Sequence, residues 1–171
     1  MIVRGAKGVA AESIIDDLWP DSDGDAAQNA FDSTLHRLRK LLKQDDAIIL
    51  SEGKLSLNAT LCWLDTWALE RLADEMSTRT SDSEPRHHAT QLFQIYQGPF
   101  FSSDVNFPGR SQTCVALRSV FERCLSALCR TFDASGRTEE AIDLLKKGLE
   151  IDAEAHDLHI LLNDLRGLAQ L

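Results

Sequence analysis

Apolar residues repeat along the chain at helical spacing, interrupted by one short stretch of strand-like alternation. Ile14, Ile15, Leu18 and Trp19 fall at i, i+1, i+4 and i+5, which puts them on one face of a helix running from about Ala10 to Trp19 and stopped by Pro20. The run Asp21-Ser22-Asp23-Gly24-Asp25 is a turn. A second helix is expected from there to Lys43, with Asp25 as N-cap and Gln28 in the capping-box position. At roughly 100° per residue, Phe31, Leu35, Leu38 and Leu42 share a narrow sector, the expected buried face. Asn29, Ser33, His36, Arg37 and Lys40 fall on the far side, with Lys43 at its edge. Then Ala47-Ile48-Ile49-Leu50 and Lys54-Leu55-Ser56-Leu57 flank Ser51-Glu52-Gly53, the signature of a β-hairpin.

From Trp63 onward the pattern is helical. Trp63, Trp67, Leu69 and Leu72 open an amphipathic segment that fades near Met76. Residues 77–85 are polar and read as an exposed loop, and a helix over about 86–96 stops at Gly98-Pro99. The loop from Phe100 to Arg110 is expected to pack down through Phe100, Phe101 and Phe107. Three helices follow, near 111–134, 138–150 and 154–169. Val120, Phe121, Cys124, Leu125, Leu128 and Phe132 form the apolar stripe of the first. Gly136-Arg137-Thr138-Glu139 supplies a turn and an N-cap. The fold class is therefore mainly α with one short hairpin, divided into residues 1–60 and 61–171.

Charge sharpens this picture. With 171 residues and 43% hydrophobic content the chain can build two small cores, and its net charge of −9 argues against a protein that coats nucleic acid non-specifically. Residues 1–60 hold seven basic and ten acidic side chains, yet Thr34 to Lys43 contains Arg37, Arg39, Lys40 and Lys43 and no acid. No stretch approaches the roughly 18 apolar residues of a membrane span, and the N-terminus shows no secretion signal. No membrane partner is expected.

Helix, break, basic-faced helix and hairpin, in that order, make a partial winged helix-turn-helix. The segments Ser13–Asp21, Asp25–Ala30 and Thr34–Leu42 resemble the OmpR/PhoB-type winged helix. The resemblance is to the version found in bacterial transcriptional activators of the Streptomyces antibiotic regulatory protein kind. In that family a tetratricopeptide-like bacterial transcriptional activator domain follows, and Trp63-Leu64-Asp65-Thr66-Trp67 and Tyr96-Gln97-Gly98-Pro99-Phe100 resemble its opening and first inter-helix loop. Leu125, Leu128, Cys129 and Phe132, then Gly136, Ala141, Leu145 and Gly148, match one tetratricopeptide repeat. Cys129 stands where a smaller residue is usual, and Ala153 where a closing proline is usual.

The resemblance implies a cytoplasmic regulator that reads double-stranded promoter DNA. Its helical array would contact a second copy of the chain, RNA polymerase or another regulator. The family also places a small sheet and a first helix ahead of the segment that begins near Gly8, of which Ile2-Val3 would be the last turn. Ile14, Leu18, Phe31, Leu35 and Leu38 would pack on that helix. Of three explanations, that the chain is a piece of a longer protein, that its gene is truncated at the start, or that the helical domain covers that face, the first two are favoured.

For DNA, Arg37 is the candidate for guanine O6/N7 and Asn29 for adenine. Ser33, His36, Lys40 and Lys43 would meet phosphates or neighbouring base edges, and Lys54 the adjacent backbone. The wheel alone fits a solvated basic face equally well; the hairpin and the family resemblance tip it toward DNA. The alternative is a tetratricopeptide-type interaction module without DNA binding.

Other chemistry is sparse. Asp21, Asp23 and Asp25 alternate, but Gly24 is out of register for a calcium loop and position twelve is Asp32, so helix capping is the better account. His87-His88 reads as ordinary surface. The cysteines (Cys62, Cys114, Cys124 and Cys129) form no Cys-x-x-Cys pair and read as buried thiols. No cofactor, metal or catalytic constellation is placed, and no enzyme is expected.

Overall fold

In a computed structural model, which describes residues 6–78, 85–100 and 110–168, the first apolar periodicity becomes helix α1, Ala11–Leu18. A two-residue strand β1, Val9–Ala10, precedes it, and helix α2, Gly24–Leu42, follows. Strands β2, Ile48–Ser51, and β3, Lys54–Leu57, form the expected hairpin. Ser51 pairs with Lys54, which leaves a two-residue connection. Glu52 and Gly53 take φ of 51° and 71°, the positive values a type I′ turn requires. β1 pairs antiparallel with β3, giving a three-stranded sheet in the order β1-β3-β2. The β1 strand has no signature in the pattern of apolar residues.

Five helices follow: α3, Asp65–Thr78; α4, Pro85–Ile95; α5, Arg110–Ala134; α6, Thr138–Ile151; and α7, His156–Leu168. The described residues fall into two compact units, the first reaching Trp63 and the second beginning at Leu64. The architecture is mainly helical with one small antiparallel sheet. Among the described residues no helix is long and apolar enough to cross a membrane. The polar loop expected over residues 77–85 lies mostly outside the described residues. So do Ile2-Val3 and the aromatic loop after Phe100, whereas Phe100 itself packs against the helical core.

The first unit is built on Ala11, Phe31, Leu35, Ile48 and Leu55, with Ile14, Ile15, Trp19 and Leu57 packed around them. Phe31 and Leu35 thus bury themselves against the sheet. The apolar sector of α2 extends further than that core: Leu38 and Leu42, expected to be buried, are 42% and 45% exposed, and Leu18 is 44% exposed. The reason is length. A 19-residue helix spans about 28 Å, whereas a four-residue strand spans about 13 Å, so the sheet cannot cover every turn. The expected capping box is absent as well. The N-cap position is Asp23 with no side-chain bond, Asp25 already lies in the first turn, and Gln28 Nε2 donates to Asp32 Oδ1 at 3.2 Å.

The second unit has the larger core. Its centre holds Phe121, Leu125, Leu128, Cys129 and Phe132 of α5, Ala141 and Leu145 of α6, and Leu158 of α7, all almost fully buried. The α5–α6 turn is a Schellman motif. Gly136, at φ 73°, donates to Asp133 O, and Arg137 N–H donates to Phe132 O at 2.9 Å. The Arg137 guanidinium sits 4.4 Å from the centre of the Phe132 ring. Arg137 takes the N-cap position of α6 without a side-chain cap, while Thr138 Oγ1 donates to Asp133 Oδ1 at 2.6 Å.

Three expectations are corrected here. Trp63 does not open the amphipathic helix: α3 starts at Asp65 and Trp63 is 67% exposed. His88 is buried, because the inner face of α4 is His88, Ala89, Leu92 and Phe93. Cys124 and Cys129 are buried as expected, but Cys62 and Cys114 are only half-buried. Burial pushes the Cys124 and Cys129 thiols up to about 11 and about 12.

A buried polar cluster also ties the helices together. The Asp152 carboxylate, after α6, accepts hydrogen bonds from Tyr96 Oη at 2.7 Å, Arg118 Nε at 2.8 Å and Glu154 N–H at 3.1 Å. The Tyr96 ring stacks on Phe121, centroids 4.1 Å apart.

Gly148 tests this packing. A Cβ there would meet Leu125 first, then Leu158 Cδ1 at 3.2 Å. Gly-to-Ala in an open helix gains about 1 kcal/mol, and overpacking a tight core loses about 1–3 kcal/mol. Gly148→Ala should therefore lower stability in urea unfolding. A stabilised variant would show that α5, α6 and α7 do not approach this closely.

Candidate nucleic-acid interface

The orientation of α2 follows from its packing. With Phe31 and Leu35 held on Ile48 and Leu55, the opposite side of the helix must face solvent. Asn29, Ser33, His36, Arg37 and Lys40 are all exposed. Their spacing of i, i+4, i+7, i+8 and i+11 makes them one stripe about three turns long. Side chains of this kind carry several hydrogen-bond donors and acceptors, and Arg37 can present a planar fork to a base edge or a phosphate.

Lys43 lies just past the stripe. It is the C-cap of α2, in the left-handed conformation with φ 52°, and donates its N–H to Lys40 O at 3.3 Å. Its side chain is exposed where the helix dipole is negative, a favourable place for a cation.

Lys54 is exposed but does not join the stripe. Leu55 and Ile48 face the core, so by strand alternation Lys54 and Ser56 project from the opposite face of the sheet. That outer face is pinned to the preceding chain, where Gly8 N–H donates to Ser56 Oγ at 2.8 Å. The structure thus gathers five of the seven candidates, sets Lys43 at the end of their row, and places Lys54 on a separate element.

Two features of this surface escaped the sequence reading. Arg39, inside the acid-free basic run, is half-buried and structural: its Nε and Nη2 donate to Ile48 O at 3.2 and 2.7 Å. Its position on the wheel, at the margin between the two faces, is the signal that separates it from Arg37 and Lys40. Asp25 and Asp32 are exposed on the flank of the stripe, toward the start of α2. Positive charge is accordingly concentrated in the last two turns. Among the described residues no carboxylate pairs with Arg37, Lys40, Lys43 or Lys54. Likewise among the described residues, no three His, Cys, Asp or Glu side chains converge as metal ligands.

Compared with known families and with curated proteins, the chain matches no family model and no curated sequence.

The two neighbouring arginines should behave differently. Arg39→Ala removes two hydrogen bonds to a half-buried carbonyl and should cost about 1–2 kcal/mol in denaturant unfolding. Arg37→Ala, on an exposed face, should stay within about 0.5 kcal/mol of the parent. Equal losses would mean that Arg37 is also spent on the fold.

Proposed function

We propose that this chain is a DNA-binding transcription regulator, or a portion of one. In this reading α2 is the recognition helix of a winged helix-turn-helix, the β2–β3 hairpin is its wing, and the second unit is a tetratricopeptide-like contact domain. The resemblance to regulators of the Streptomyces antibiotic regulatory protein kind points the same way. One observation carries the proposal: Asn29, Ser33, His36, Arg37 and Lys40 form a continuous exposed stripe on a helix whose other side is anchored to a sheet. A B-form major groove, about 12 Å wide, admits such a helix. Arg37 would take guanine and Asn29 adenine. Lys40 and Lys43, at the positive end, would take phosphates. Lys54, on the outer face of the hairpin, would touch the backbone only from the wing side.

The helical unit supports this role by supplying a rigid surface for a second protein. Two copies on adjacent half-sites would raise the effective concentration at the second site. RNA polymerase or another regulator is the other class of partner. A second reading, an interaction module that does not touch DNA, is favoured by the acidic surplus of residues 1–60, ten acids against seven bases.

Fluorescence anisotropy with duplex DNA from upstream of the chain's own gene separates the two. The regulator reading expects binding that weakens linearly in log salt, with Lys40→Ala lowering the slope by about 1. Arg37→Ala should weaken the specific site by about 1–3 kcal/mol and random DNA much less. Absence of binding at low salt, or an affinity indifferent to salt, would favour the interaction module.

A further inference from the structure

The surface shared by α5 and α7 carries charge in an order that nothing among the described residues uses. α5 and α6 run antiparallel: Cys129 Sγ lies 3.5 Å from Ala141 O, and Arg118 pairs with Asp152 at the far end. The chain reverses again after Asp152, so α7 runs beside α5 in the same direction. Glu122 fixes their register. It is buried, and its Oε1 accepts the N–H of Asp157, in the first turn of α7, at 3.2 Å. The same burial pushes its carboxyl up from the ordinary range.

From that level the two helices form opposite walls of one groove of about 480 Å³. Arg123 and Arg130 stand on the α5 wall, and Asp157 and Asp164 on the α7 wall. All four are exposed. Each pair is seven residues apart, two turns or about 10.5 Å. Yet among the described residues none of the four makes an ion pair. Midway along the walls lie Ser126 on α5 and Ile160 on α7; Ile160 is 57% exposed, one of the few large apolar side chains of the helical unit left open.

We infer that this groove is a self-association surface whose occupant is the same groove of a second copy of the chain, related by a two-fold axis. Charge complementarity selects this occupant. A two-fold axis running along the groove between the two copies lays the arginine wall of each on the aspartate wall of the other, with the helices in the same direction. Arg123, level with Asp157 through Glu122, then meets Asp157 of the second copy, and Arg130 meets its Asp164, twice over, with no like charges opposed. Ile160 of each copy falls near the axis, opposite Ser126, and loses its exposure to water. A two-fold axis across the groove would instead set arginine on arginine. The contact relies on exposed ion pairs, so it is weak and salt-sensitive. The inference rests on reading the helical unit as the contact domain of the regulator, and it names the partner.

Sedimentation equilibrium of the whole chain, without DNA, tests it. The parent should show a concentration-dependent dimer that dissociates as salt rises. Arg123→Glu with Arg130→Glu should weaken the dimer at least about a hundredfold, and so should Asp157→Arg with Asp164→Arg, because each sets like charges together. Mixing the two double variants one to one should restore a dimer, because each then supplies the charge that the other lacks. A parent that stays monomeric throughout, double variants that still dimerise, or a mixture that fails to associate would each overturn the inference. The regulator reading fails separately, on the DNA titration: a chain that binds DNA as a monomer keeps the reading and loses only this surface.

Discussion

The packing of Phe31 and Leu35 against Ile48 and Leu55 decides what the first unit presents to its surroundings. A helix has no intrinsic outside. Once two large apolar side chains are removed from water on one face, the residues half a turn away are committed to solvent, whatever their chemistry. Burying each such side chain contributes roughly 1.5–3 kcal/mol, far more than an exposed polar residue gains from any one orientation. Asn29, Ser33, His36, Arg37 and Lys40 therefore stand in one outward row because of what the other side of the helix buries. Arg39 reinforces the arrangement by reaching from the edge of α2 to the backbone of β2.

The second unit solves its packing differently. Close approach at Gly148 lets α6 settle onto α5 and α7, and the Schellman turn at Gly136 reverses the chain without a long loop. Asp152 then joins Tyr96 and Arg118 in one buried cluster, fixing the end of α4 against α5 and the turn after α6. A buried carboxylate with several donors is costly to disrupt, because removing it leaves its partners without an acceptor. The outcome is a closely packed helical body. Arg137 and Arg86 converge on Glu140 in the same body and hold its carboxyl down to about 2.

Helix positions and the hairpin were legible in the amino-acid order because they depend on local periodicity and turn chemistry. The outward side of α2 was legible for the same reason. What the order hid was mostly tertiary. The exposure of Leu38 and Leu42 reflects how little sheet lies beneath α2, and a wheel carries no information about the length of a neighbour. The burial of His88 depends on which face α4 turns to its neighbours, and the role of Arg39 on where β2 starts. Strand β1 is too short for an alternation to register. The separation of Lys54 from the α2 stripe could have been foreseen, since it sits one residue before Leu55 on a strand whose leucines must face the core.

Residue-by-residue NMR of the chain titrated with duplex DNA examines the central claim most directly. The account predicts amide and side-chain shift changes concentrated at Asn29, Ser33, His36, Arg37 and Lys40, smaller changes at Lys43 and Lys54, and none at Phe31 or Leu35 beyond neighbour effects. Shift changes centred on the helices after Leu64, with α2 unmoved, would contradict it.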